Sequence, residues 1–189
     1  MTLVAIGSSA GGPAALATIL AALPADFPAA IVIIQHLDPQ MAAGMASWLA
    51  GQCTFPLSIA AAGDVPERGR VLLAASNDHL VLQPSGRLAY TPEPRETVHR
   101  PSVDVFFESV SSHWRDRAVG VLLTGMGRDG AQGLRTLRDA GHHTIAQDRD
   151  SSAVYGMPKA AAALDAAVDI LPVTRIAPRL IRLVQQQVQ

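Results

Sequence analysis

Short apolar runs separated by longer amphipathic stretches set the rhythm of this chain. Leu3-Val4-Ala5-Ile6 predicts a first strand, and the alanine-rich stretch 13–22, opened by Pro13 at a first-turn position, predicts a helix. Residues 29–34 form a second strand, β-branched and apolar on both faces, as a sandwiched parallel strand requires. A helix is predicted over 40–51, short strands over 57–60 and 70–74, and a hairpin pairing 79–83 with 87–91. Ser102 is placed to cap a helix running to about 113. A third strong strand covers 118–123, a helix over 130–140 stops at Gly141, and a strand over 144–146 follows. Helices near 158–164 and 175–187 complete the pattern. Such strand–helix alternation predicts an α/β fold: a three-layer sandwich with a mainly parallel, doubly wound sheet, plus a short hairpin.

Composition narrows the class. At 189 residues the chain is expected to be a single domain, 1–189, long enough to bury a real core. Hydrophobic residues make up 49% and charged residues 16%, which excludes a disordered chain. A net charge of -1 argues against a nucleic-acid partner, which calls for a basic excess. The lone cysteine, Cys53, rules out an internal disulfide framework, fits a reducing compartment and reads as a small buried apolar residue. The N-terminus lacks the basic region and long apolar stretch of a signal peptide, and no run is long enough to span a bilayer. A cytoplasmic protein with no membrane insertion is expected.

Candidate chemistry gathers at three strand ends, where open parallel sheets bind their ligands. The first strand delivers Ser8-Ser9, the second Gln35-His36, and the third Thr124-Gly125-Met126-Gly127-Arg128-Asp129-Gly130. A serine, a histidine and an aspartate are what acyl transfer needs. The imidazole takes the serine proton, and the carboxylate fixes its tautomer and stabilises the imidazolium. Met126-Gly127 and Gly11-Gly12 offer backbone N–H groups to a developing oxyanion.

Each piece alone has a blander reading. A histidine after a strand is commonly structural, Asp129 can cap the next helix, and small-residue turns often bind phosphates. Gly7 to Gly11 fits G-x-S-x-G, yet the order Ser9…His36…Asp129 differs from the α/β-hydrolases, in which the acid precedes the histidine. The first turn also lacks G-x-G-x-x-G, which weakens a dinucleotide-binding reading. His79 is expected in a solvated turn, and His142-His143 exposed with no spaced partner for a metal. Arg100 reads equally as a solvated loop residue and as a contact for an acidic surface, while Trp48 and Trp114 are expected to be packed.

Six ordered blocks, running nearly end to end from Ala5 to about Leu180, resemble the protein-glutamate methylesterases of bacterial chemotaxis, the CheB-type catalytic domain. They are Ala5 to Pro13, Ile34-Gln35-His36, His99-Arg100-Pro101-Ser102-Val103-Asp104, Leu123 to Gly130, Ala146-Gln147-Asp148, and Val154-Tyr155-Gly156-Met157-Pro158. The resemblance implies Ser9 as nucleophile, His36 as general base and Asp129 as orienting acid, with His99 and Met126 beside the site. It implies hydrolysis of γ-glutamyl methyl esters on the cytoplasmic helices of chemoreceptors, in some relatives also glutamine deamidation, with no metal or organic cofactor. Two departures stand out. Ala10 replaces the threonine common in the family, which leaves only the backbone N–H to an oxyanion. No receiver domain precedes the first strand, so the chain reads either as a fragment or as an enzyme without that control. A non-catalytic receptor-docking module that retains the fold is the alternative. A nucleotide-binding protein is disfavoured by the missing phosphate-loop lysine and ribose-binding acid.

Overall fold

Continuous apolar strands that bury both faces come together as the centre of the molecule. In the computed structural model, which describes residues 1–186, β1 (Leu3–Ser8) pairs in parallel with β2 (Ala30–Gln35) on one side. On its other side it pairs with β7 (Ala118–Leu122). All residues of these three strands are buried. β4 (Val71–Leu73) and β3 (Leu57–Ile59) extend the sheet beyond β2, and β8 (His143–Gln147) and β9 (Asp169–Leu171) extend it beyond β7. The order is β3-β4-β2-β1-β7-β8-β9, parallel throughout, and β5 (His79–Leu82) with β6 (Leu88–Thr91) forms a separate antiparallel hairpin.

Alternate strand residues feed two cores, as the two-residue strand period demands. Val4, Ile6, Ile31 and Ile33 pack against α1 (Gly12–Ala22), α2 (Ala42–Ala50) and α6 (Val173–Gln185). Leu3, Ala5, Val32 and Ile34 pack against α3 (Val103–His113), α4 (Ala131–Asp139), α5 (Met157–Ala163) and the hairpin. This is the expected three-layer, doubly wound arrangement.

Some boundaries shift. β1 continues past Ile6 to Ser8 because Gly7 stays in register with both neighbours and Ser8 with β2. The first turn of the helix predicted over 40–51 is instead a 3-10 turn over Pro39–Met41, where the Asp38 carboxylate accepts the Gln40 N–H at 2.9 Å. β9 was not anticipated: its three residues, beginning with Asp169, carry no strand-length apolar run. The last helix opens earlier than predicted, at Val173, and Gln187 of the predicted 175–187 lies outside the described residues.

Candidate active site

The chain reverses its direction across the sheet at β1, which makes the carboxyl ends of β1, β2 and β7 a topological switch point. Ser9 follows β1 and His36 follows β2, in strands whose register sets Ser8 opposite Gln35. Backbone and side chains lace these ends together. The His36 N–H donates to Ser8 O at 3.0 Å, the Ser9 N–H to Thr124 O at 3.0 Å, and the Gln35 amide nitrogen to Ser9 O at 2.9 Å. The Thr124 hydroxyl donates to Ala10 O at 2.9 Å, and Gln147 Oε1 receives the Thr124 N–H at 2.8 Å. Two glycines permit this closeness. Gly11 turns the chain at φ 78°, and a Cβ on Gly125 would fall 2.7 Å from the Ser9 Cβ and 2.3 Å from Met157 Sδ.

His36 and Asp129, 93 residues apart, meet at 2.6 Å between Nε2 and Oδ2, with side chains 9% and 8% exposed. Asp129 does not cap the helix that follows it. Its Oδ1 accepts the Ser102 hydroxyl at 2.8 Å and the Asp104 N–H at 3.0 Å, and its Oδ2 also accepts the Val103 N–H at 2.8 Å. The carboxylate therefore sits on the N-terminus of α3, whose amides favour negative charge. Burial pushes the Asp129 carboxyl up, but hydrogen bonds from His36 and from the Asp104 and Val103 amides overcome it, leaving the group at about 2. An ionised partner on Nε2 holds the ring proton there, so neutral His36 keeps its lone pair on Nδ1. That Nδ1 is buried and has no hydrogen-bond partner among the described residues.

Ser9 and His36 line one cavity of about 540 Å³, but no hydrogen bond joins the Ser9 hydroxyl to the ring. Such bonds are often long in free enzymes and tighten around substrate. Among the described residues the amides of Ala10 and Met126 donate to no protein acceptor; Ala10 lines the Ser9 cavity, and Met126 follows Gly125, which packs against Ser9. The Met126 side chain itself is 69% exposed.

His99 stacks on His36 with ring centroids 4.0 Å apart and planes within 9°. Burial, then repulsion from His36, pushes its proton off, against the pull of Asp129. A neutral His99 adds no second charge when His36 becomes an imidazolium. His79 corrects the expectation of a solvated turn, being fully buried. Its Nδ1 accepts the Ser102 N–H at 3.1 Å and its Nε2 meets Pro94 O at 2.9 Å, so it anchors the loop leading to the Asp129-binding end of α3.

Behind that end lies Asp104, whose Oδ1 accepts the Gly133 N–H at 2.7 Å. Burial pushes its carboxyl up to about 6; the Gly133 amide opposes this, and the charges of Asp129 and Glu108 add to it. A carboxyl whose folded pKa is raised contributes full stability below its unfolded value and loses it as pH rises toward the folded one. Asp104→Asn keeps the acceptor for Gly133 and removes the charge. It is expected to stabilise the fold by on the order of 1–3 kcal/mol at pH 7 and by nothing at pH 3.5. Urea unfolding at the two pH values checks this, and an equal gain at both would refute the assignment.

Most of the remaining candidates fall away from the chemistry. His142 and His143 are half-buried and partnered instead of exposed: His142 Nδ1 accepts the Ala118 N–H, and His143 pairs with Asp169 at 2.7 Å. A cavity of about 570 Å³ beside them, among Arg117, Arg138 and Arg179, lies at the opposite edge of the sheet. Trp48, expected in the core, is 47% exposed and walls the Ser9 cavity, while Trp114 is half-buried. Cys53 is only partly buried, and Arg100 is exposed. Among the described residues no group of His, Cys, Asp and Glu has the makings of a metal centre, and no helix is long and apolar enough to cross a membrane.

Comparison with known proteins bears on this geometry. Residues 4–180 match the family model described as CheB methylesterase. A Cupriavidus metallidurans protein named protein-glutamate methylesterase/protein-glutamine glutaminase 2 is 65% identical over 179 residues, covering 95% of this chain and 53% of that protein. A Burkholderia thailandensis protein, protein-glutamate methylesterase/protein-glutamine glutaminase 4, is 63% identical over 187 residues, covering 99% and 55%. The chain thus spans about half the length of the curated relatives it matches. The crystal structure of the Thermotoga maritima CheB methylesterase catalytic domain superposes with a TM-score of 0.91 at 33% identity, covering 96% of this chain and 97% of that one.

Proposed function

The chain belongs to the CheB methylesterase family, and from that premise we propose that it is a serine hydrolase cleaving glutamate γ-methyl esters on the cytoplasmic helices of chemoreceptors. The observation that carries the reading is the buried His36–Asp129 pair, whose histidine lines one cavity with Ser9 and has an Nδ1 without a hydrogen-bond partner among the described residues. In the proposed reaction the Ser9 hydroxyl adds to the ester carbonyl while His36 Nδ1 takes its proton. The tetrahedral oxyanion is met by the Ala10 and Met126 amides. His36 then protonates the departing methoxide, and methanol leaves an acyl-Ser9. Water, deprotonated by the same Nδ1, adds to that ester and returns Ser9 and a free glutamate. Asp129 stays ionised throughout and stabilises the imidazolium. The side chain of Ala10 has no hydroxyl to lend, so the oxyanion depends on the two amides; losing one such donor lowers turnover on the order of 100-fold or more.

The same attack on a glutamine amide would release ammonia, in keeping with the double name of the relatives. We place the protein in the cytoplasm, where those receptor helices lie. A docking module without catalysis has no need of an ionised acid held on a histidine that keeps a free base nitrogen.

Methanol release from a methylated receptor cytoplasmic fragment tests the reading. The folded chain is expected to release methanol in proportion to the ester present. A folded chain that releases none overturns it.

A further inference from the structure

Gln35, at the end of β2, has no task in the proposed reaction, yet its amide is bonded at both ends in the middle of the site. Glutamine is mostly a surface residue, whereas this one is 3% exposed and follows five apolar positions in its strand. Its Oε1 accepts the hydroxyl of the fully buried Ser8. Its Nε2 donates to Ser9 O at 2.9 Å and to His36 O at 3.1 Å. The two carbonyls can only accept, so the amide nitrogen faces them and the amide oxygen faces Ser8. Room for the group comes from Gly12, where a Cβ would fall 2.0 Å from Gln35 Oε1. One side chain thus ties together the backbone of the nucleophile and the backbone of the base.

Peptide geometry turns that tie into a consequence for catalysis. Ser9 O and the Ala10 N–H belong to one planar trans peptide and point in opposite directions, so holding the first fixes the second. Ser9 O is held twice, by Gln35 and by the Gly12 N–H at 2.8 Å. The peptide that carries the Met126 N–H is held in the same way: its oxygen, Gly125 O, accepts the Met157 N–H at 2.9 Å and the Gly156 N–H at 3.2 Å. In each case two donors grip the carbonyl while the N–H of the same peptide stays unused. Three of the four donors are backbone; Gln35 is the side chain among them. We propose that Gln35 is a positioning residue for the oxyanion site, its amide fixing the Ser9–Ala10 peptide plane so that the Ala10 N–H meets the tetrahedral oxyanion. The inference rests on the serine-hydrolase reading above. Residue 10 has no hydroxyl to correct a misdirected amide, so the plane itself sets the strength of that contact. A displacement of about 1 Å at such a donor costs on the order of 100-fold in rate.

Gln35→Met, nearly the same length without a donor, tests the role by methanol release from a methylated receptor cytoplasmic fragment. It is expected to lower kcat by about 30-fold or more and to leave KM within about threefold. Because Nε2 also holds His36 O, the rival effect is one on the base, and the pH profile separates the two. The midpoint of the rise of kcat/KM with pH is expected to stay within about 0.3 units, since the ring and Asp129 are untouched. A second readout is a peptide with a trifluoromethyl ketone in place of the ester. Ser9 adds to its carbonyl carbon, the hydroxyl proton passes to His36, and the negative charge stays on the former carbonyl oxygen. The dissociation constant of that adduct is expected to rise by the factor by which kcat/KM falls. Ser8→Ala keeps the Gln35 donors but frees their amide, and is expected to lose about 3–10-fold in kcat with the same pattern; it decides the matter if Gln35→Met does not fold. An unchanged kcat in the folded variant, an unchanged affinity for the ketone, or a rate loss that travels with a shifted pH midpoint overturns the positioning role and leaves the hydrolase reading standing. If wild type neither releases methanol nor binds the ketone, the hydrolase reading fails and the role of Gln35 fails with it.

Discussion

Ser9→Ala is expected to remove methanol release by at least about 10⁴-fold in kcat while moving the unfolding midpoint by no more than about 2 °C. Both halves follow from the site. The Ser9 hydroxyl makes no hydrogen bond to His36, so its loss orphans no buried group. The backbone of residue 9, held by Thr124 O and the Gln35 amide, is indifferent to the side chain. What disappears is the hydroxyl proposed to form the acyl-enzyme. Removing a serine nucleophile elsewhere lowers turnover on the order of 10⁶-fold, and the residue left over reflects oxyanion donors acting on bound water. A variant that kept even one hundredth of the wild-type rate would refute Ser9 as nucleophile.

Substitution of Asp129 is expected to strike both activity and stability, and the two amino acids chosen separate the effects. Asp129→Asn preserves the shape and keeps one oxygen for the Ser102 hydroxyl and the Asp104 amide, losing only the bond from Val103. Its amide also presents a donor to His36 Nε2, which drives the ring proton to the wrong nitrogen; a loss in kcat on the order of 10⁴ is expected. Asp129→Ala additionally strips the Ser102 hydroxyl and the Val103 and Asp104 amides of their acceptor, at about 2–5 kcal/mol. The acid limb carries its own sign. The folded carboxyl lies at about 2, below the ordinary 3.8, so its contribution is present above pH 4 and lost as pH falls toward 2. Loss of stability between pH 4 and 2 should therefore be shallower in Asp129→Ala. The window between pH 4 and 6 belongs to Asp104 and has the opposite slope. Parallel acid limbs in wild type and variant would contradict the carboxylate's role.

The sheet and the positions of Ser9 and His36 were legible because both depend on local pattern. An unbroken apolar run marks a strand buried on both sides, and the residue after its end faces the ligand edge. Asp129 was legible as a strand-end acid for the histidine, but not as a group seated on another helix. Its seat on α3, and hence the choice of Nε2 over Nδ1, arises from a loop folding back between residues 94 and 102. His79 escaped for the same reason: its partners Pro94 and Ser102 are 15 and 23 residues away, and nothing around Asn77-Asp78 signals them. Trp48 is expected to be packed because a helical tryptophan usually is, whereas here it is 47% exposed and borders the Ser9 cavity. β9 was invisible because a three-residue edge strand needs its neighbour Ile145–Gln147 to exist at all.

The 93 residues between base and acid also set a clock. At about 5–20 residues per second of synthesis, Asp129 leaves the ribosome about 5–20 s after His36. During that interval neither the acid that fixes the ring nor the anchor at the N-terminus of α3 has been made. The His36–Asp129 pair can thus form only after β7 and the loop that follows it have been made.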